Sequence, residues 1–169
     1  MSKKKLFLIH NHKNFSGAAR SLGETIISLK NKIDFIVICP KGTSSLFFKS
    51  LNILVIEIKY VPRFNHFEIG YYKGWRWLLL IREVFAMFYF LLFLIYLKLK
   101  FNNISYFHLN EFELSIISPL LKLFFKAKVT CHLRSPLEIK KGRLRYKFLK
   151  KICEKYLDKI IPIDNDCFK

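Results

Sequence analysis

Short apolar runs of strand length alternate along this chain with stretches of helical periodicity. Residues 6–9 are a first apolar run, and the polar, turn-prone residues 11–16 follow it. From residue 18 onward, Ala18, Leu22, Ile26 and Leu29 recur at helical spacing, with Arg20, Glu24 and Lys30 placed to face water. Ser16 is the expected N-cap of that helix, and Gly17 lets the backbone turn beside it. The same alternation continues with a strand over 34–40, a short helix over 43–51 capped by Thr43 or Ser44, and a strand over 53–59. Further on, residues 105–110 and 128–134 read as strands. They flank a helical stretch over 111–125 in which Pro119 implies a kink or a late start. A basic helix over 142–158 places Leu144, Phe148, Ile152 and Tyr156 on one face and Arg143, Lys147, Lys150 and Lys151 around the other. A short strand over 159–164 ends the pattern, which shows no internal repeat. Strands alternating with helices imply a single α/β domain over residues 1–169, with a mostly parallel sheet and helices on both faces.

Residues 75–97 break the rhythm. They are apolar except for Arg76, Arg82 and Glu83, and only 84–97 run uninterrupted, short of the ~20 residues a bilayer span needs. Three readings stay open. The segment is a buried crossover helix, a helix whose apolar face enters a membrane interface, or a transmembrane span. Trp75 and Trp77, with flanking Lys73, Lys98 and Lys100, suit the second. Arg82 and Glu83 weigh against the third.

Charge narrows the partners. Thirty Lys and Arg against 12 Asp and Glu leave a formal charge of +18, so an anionic partner is expected: a phosphorylated substrate, an anionic membrane surface or a nucleic acid. Lysine far outnumbers arginine, and a low-GC coding bias accounts for part of the excess. The 52% hydrophobic content argues against disorder. Cys39, Cys131, Cys153 and Cys167 have no C-x-x-C spacing and read as reduced thiols, two of them inside strands. The apolar run after Lys3–Lys5 is too short for a signal peptide, so a cytoplasmic location is expected.

In an open parallel sheet, ligands gather beyond the carboxyl ends of the strands. Here those ends carry His10 and Asn11, then His108 and Asn110, then His132 and Arg134, with Ser135 just after. His132 and Arg134 share one side-chain direction and suit hydroxyls and an anionic group. The helix beginning near Gly17 and Ala18 offers N–H groups and a positive dipole end to a phosphate. A G-x-G-x-x-G, a phosphate-binding G-x-x-x-x-G-K-[ST] and a G-x-S-x-G are all missing from the sequence. It also lacks an RNP-type aromatic motif and zinc-ligand spacing, so nucleic acid is not the expected partner and no metal site is expected.

The order of these segments resembles the N-terminal half of the family-4 retaining glycosyltransferases, which have the GT-B fold of two Rossmann-like domains. The matching stretches are LFLIHNHKNFSGAARSL, the pair DFIVICPKG and NILVIEIKY, ISYFHLNEF, KVTCHLRSP and the terminal DKIIPIDND. The resemblance implies a Rossmann-like, acceptor-side domain that helps move a sugar from a nucleotide-sugar donor to a lipid-linked or glycan acceptor, with no further cofactor. It implies that Gly17 and Ala18 lie near the donor phosphates and that His132 contacts the transferred sugar as the catalytic residue. Arg134 and Ser135 would line the cleft, with Asn11, His108 and Asn110 as further cleft candidates. Two departures stand out. Many members carry two glycines and an acidic residue in the first loop, where this chain has Ser16-Gly17-Ala18-Ala19-Arg20. The C-terminal donor-binding domain is expected to be absent, so a separate donor-binding half would be needed for catalysis. Trp75, Trp77, Lys147, Lys150 and Lys151 are the membrane-contact candidates, with a peripheral location at the inner face of the plasma membrane. The rival reading is a non-catalytic, basic membrane-surface or assembly module.

Overall fold

The computed structural model describes residues 3–64, 74–101, 103–134 and 144–163. Its strands are β1 (Lys4–Ile9), β2 (Ile33–Pro40), β3 (Leu54–Ile58), β4 (Tyr106–Leu109), β5 (Lys128–Leu133) and β6 (Lys159–Pro162). Each apolar run of the sequence became one of them. They form one all-parallel sheet in the order β3-β2-β1-β4-β5-β6. Parallel neighbours need crossover connections, and helices supply them: α1 (Gly17–Leu29), α2 (Thr43–Ser50), α3 (Leu79–Lys100), α4 (Ser118–Phe125) and α5 (Leu144–Tyr156). This is a Rossmann-like sheet, and its strand order reverses direction between β1 and β4.

The helices divide between the two faces. Leu8, Val37 and Cys39 meet Ala19, Leu22 and Ile26 of α1 and Phe48 of α2 on one side. Phe7, Ile9, Phe107 and Val129 meet Phe90 and Leu94 of α3, Leu121 of α4 and Leu149 of α5 on the other. Among the described residues, the first cluster draws no member from β4, β5 or β6. On that side Thr130 and His132 remain half-buried, while Val129, Cys131 and Leu133 on the opposite face are buried. The period-two alternation of β5 records this difference between the faces.

Local chemistry explains most helix starts. Ser16 caps α1 by accepting from the Ala19 N–H at 3.4 Å. Gly17 takes no left-handed backbone, and a Cβ placed there would meet nothing, so the turn itself does not require glycine. Gly23 and Gly42 have packing roles, since a Cβ would lie 2.5 Å from the Phe47 ring of α2 at Gly23 and closer still to the Lys13 carbonyl oxygen at Gly42. The cap of α2 is Gly42 rather than Thr43 or Ser44, because both hydroxyl residues are used to pin the loop after β1. Thr43 Oγ1 accepts from the Phe15 N–H at 2.7 Å, and Ser44 Oγ donates to the Asn14 carbonyl at 2.7 Å. Ser45 Oγ, one turn inside, accepts from the Gly42 N–H instead. Pro119 gives the late start: a 3-10 turn (Phe112–Ile117) precedes α4, and the proline sits in its first turn, where no N–H is needed.

Two helices differ from expectation. In α5 the inward residues are Leu149 and Ile152, with Cys153 packed beside them, while Leu144 and Phe148 are exposed. The helix packs against α4 and the 3-10 turn through this rotated stripe. The long apolar segment is a crossover helix, preceded by a 3-10 turn (Gly74–Leu78), but it is not a buried one. Only Ala86, Phe90, Leu94 and Leu97 are buried, a single stripe at i, i+4, i+8 and i+11. Each fully buried residue of that stripe stabilises the sheet contact by about 2 kcal/mol. Met87 and Phe93 flank that stripe half-buried against the core, while Val84, Phe85, Phe88, Leu92 and Leu99 are apolar and exposed.

Candidate functional site

The carboxyl ends of β1, β4 and β5 lie side by side, so the residues just beyond them meet. Asn110, fully buried, is the hub. Its Oδ1 accepts from Arg134 Nη2 at 2.7 Å, and its backbone carbonyl accepts from Arg134 Nε at 2.9 Å. These bonds orient the amide, so that Nδ2 donates to His10 Nδ1 at 2.9 Å and to the Ala18 carbonyl at 3.2 Å. One side chain thus ties the first turn of α1 to the ends of β1 and β5. His10 must carry its proton on Nε2, and that atom is buried without a hydrogen-bond partner.

The acidic residues after β4 complete the edge. Glu111 Oε1 lies 3.8 Å from Arg134 Nε and 3.9 Å from His12 Nε2. Burial pushes the Glu111 carboxyl up to about 7, with Arg134 opposing and Glu113 reinforcing the shift. Glu113 is raised for the same first reason, burial, while Arg63 pulls against it at 3.9 Å. Glu113 also accepts from Asn11 Nδ2 at 3.4 Å, and Asn11 Oδ1 is buried without a partner. A carboxyl that titrates near neutrality beside two basic side chains can take or release a proton at working pH.

On the half-open sheet face, the parallel register pairs His108 with Thr130 and sets His132 two residues beyond. His108 Nδ1 lies 2.7 Å from Thr130 Oγ1, and His108 Nε2 lies 2.9 Å from His132 Nδ1. The rings meet edge to face at 4.6 Å. Burial depresses both imidazoles, His108 to about 3 and His132 to about 4; Arg134 adds to both shifts, and His132 also lowers His108. Both are therefore neutral at pH 7, and their protons are ordered along a chain. If the Thr130 hydroxyl donates to the Phe107 carbonyl, His132 is left with a bare Nε2 that can accept from a hydroxyl. If Thr130 donates to His108, His132 presents an Nε2–H that can donate to an oxyanion.

The structure brings Ala18, Asn110 and Arg134 into one hydrogen-bonded group, with Gly17 in the same helical turn and Asn11 at the adjoining strand end. His132 stands on the sheet face beside it, and His108 is buried behind His132 as its partner rather than on the surface. Arg134 is largely covered, with its N–H groups turned to Asn110 and Glu111. Ser135 lies outside the described residues. Trp75, Trp77, Lys147, Lys150 and Lys151 are exposed on the helices, away from this hydrogen-bonded group. Sequence reasoning missed Glu111, Glu113, His12 and Thr130. The run NEFE after β4 held the signal for the two acids, since both fall just past a strand end. Among the described residues no group of three or more His, Cys, Asp or Glu could hold a metal ion. The groups at this edge whose chemistry suits an anion are the first turn of α1 and the Arg134 guanidinium.

No protein-family model and no curated protein matches the chain. Solved structures do match in fold. The Anabaena protein HepE in complex with UDP aligns with a TM-score of 0.62 at 11% identity, over 97% of this chain and 38% of HepE. Its complex with UDP-glucose gives 0.59 at 8% identity over 92% and 36%, and its complex with UDP and glucose gives 0.59 at 10% over 98% and 39%. The chain therefore spans well under half the length of that protein and shares the fold of one part of it.

Proposed function

We propose that this domain is the acceptor-side half of a retaining glycosyltransferase of the family-4 type. It would act with a donor-binding half to move a sugar from a nucleotide-sugar to a glycan or lipid-linked acceptor. The observation that carries the reading is the convergence at the β1/β4 switch point of an open helix N-terminus, a largely covered guanidinium and an ordered, neutral imidazole. The likeness in fold to part of a protein solved with UDP and UDP-glucose supports it. In this reading the first turn of α1 faces the donor phosphates, and the open space beside Gly17 admits them. Arg134 adds positive charge where the leaving phosphate gathers its own, through the rigid Asn110 clamp. His132 presents its one unengaged ring nitrogen to the transferred sugar. Glu111 holds or releases a proton beside the acceptor. Donor sugar and acceptor stay generic.

The test is sugar transfer by the full chain combined with a separately supplied donor-binding half. Transfer from UDP-glucose or another nucleotide-sugar is expected with both proteins present, and a loss of ~100-fold or more in kcat is expected for His132→Ala. Unchanged kcat in that variant would remove His132 from the chemistry. Titration of the chain with UDP, followed by the NMR shifts of the Gly17 and Ala18 amides, checks the donor side. Shifts confined to other regions would overturn the phosphate assignment.

A further inference from the structure

The exposed side of α3 is the largest feature that the cleft does not use. Trp75, Phe85, Phe88 and Leu99 are each more than three-fifths exposed, and Val84 and Leu92 join them along the same helix. The segment Gly74–Lys100 reaches a mean hydropathy of 2.3 in its most apolar window and is long and apolar enough to cross a membrane by length and composition. It cannot cross one while folded, because Phe90, Leu94 and Leu97 are part of the sheet core. One face belongs to the protein, and among the described residues nothing covers the other. A monomer does not ordinarily leave so long an apolar face to water.

Charge decides what covers it. The only acid of the helix, Glu83, is turned inward and accepts from the Arg63 N–H at 3.1 Å and from Arg82. At the helix ends stand Arg76, Lys98 and Lys100. Two copies of a chain with a formal charge of +18 repel each other, whereas an anionic bilayer attracts one. A groove of about 430 Å³ opens beside α3, lined by Leu80, Val84, Met87, Leu120 and Phe148, with room for an acyl chain. Both tryptophans of the chain lie at the first turn of this segment, where amphipathic rings settle at headgroup level.

We infer that the outer face of α3 lies in the headgroup–acyl boundary of an anionic bilayer, parallel to its plane. The sheet then stands above the membrane with its long crossover helix as the sole. This surface is independent of the sugar chemistry proposed for the cleft, and its test needs no nucleotide.

The experiment measures binding of the full chain to vesicles of phosphatidylglycerol in phosphatidylcholine, by co-sedimentation and by tryptophan fluorescence. Trp75 and Trp77 are the chain's only tryptophans, so a blue shift reports on this segment alone. Binding with a blue shift is expected, weakened by phosphatidylcholine alone. Phe85→Glu combined with Phe88→Glu is expected to weaken it ~10-fold or more while leaving far-UV circular dichroism unchanged, since both rings are exposed. Equal binding by that variant would overturn the inference in favour of adsorption through lysines elsewhere. Failure of the parent chain to bind would overturn it outright. A dimer in solution that the variant abolishes, without vesicle binding, would assign the face to a second copy instead.

Discussion

Replacing Asn110 by alanine removes the clamp that joins β1, β5 and α1, and its cost follows from three hydrogen bonds. The bond from Arg134 Nη2 to Oδ1, at 2.7 Å, involves a charged donor and is worth about 1.5–3 kcal/mol. The Nδ2 bond to His10 Nδ1 at 2.9 Å contributes about 1 kcal/mol, and the longer one to the Ala18 carbonyl rather less. The bond from Arg134 Nε to the backbone carbonyl survives, because alanine keeps that carbonyl. Truncation leaves the buried His10 and the half-buried Arg134 and Ala18 carbonyl short of a partner, so about 3–5 kcal/mol of stability should be lost. That is a large share of the ~5–15 kcal/mol typical of a domain. Urea unfolding at pH 7, followed by far-UV circular dichroism, measures it as a fall in midpoint at constant slope. A double-mutant cycle with Arg134→Met isolates the charged bond and should return a coupling of ~1 kcal/mol or more. A loss below about 1 kcal/mol for Asn110→Ala would refute the argument, because it would mean that water replaces the clamp freely.

Other outcomes follow from the same geometry. Gly23→Val should destabilise by about 2–3 kcal/mol in thermal unfolding, because the new Cβ meets the Phe47 ring at 2.5 Å and the α1–α2 contact must open. Stability should fall as pH drops from 6.5 toward 3: His10 and His108, each held near 3 when folded, take up protons more readily when unfolded. His108→Asn should flatten part of that acid slope, and an unchanged slope would refute the assignment. Glu111 runs the other way. Its folded carboxyl sits near 7, above the unfolded 4.5, so its contribution is present below 4.5 and is lost as pH rises through 7. Urea midpoints of Glu111→Gln and the parent should therefore diverge in the variant's favour between pH 5 and 8, by up to about 3 kcal/mol.

Sequence alone determined the features that depend on near neighbours. The apolar runs at 6–9, 34–40 and 128–134 became strands because a β-strand buried by its sheet needs continuous or alternating apolar side chains, and these can be counted along the chain. The Ser16 cap and the late start at Pro119 are decided within one helical turn, so their residues suffice to read them. The histidines at three strand ends were visible, and parallel topology brings those ends to one edge of the sheet.

Tertiary structure decided everything that depends on which elements meet. Thr43 and Ser44 look like caps but bond to the 13–15 loop, which lies thirty residues away in sequence. The inward stripe of α5 was fixed by what it packs against, α4 and the 3-10 turn, not by its own periodicity, which left Phe148 largely outside. Asn110 became a hub only when β1 and β5 flanked β4, and Glu111 titrates near neutrality only because that assembly excludes water from it. The long apolar helix shows the limit most clearly. Hydropathy reports how apolar a residue is, whereas exposure depends on whether another element covers it, and for the outer side of α3 the described fold supplies none.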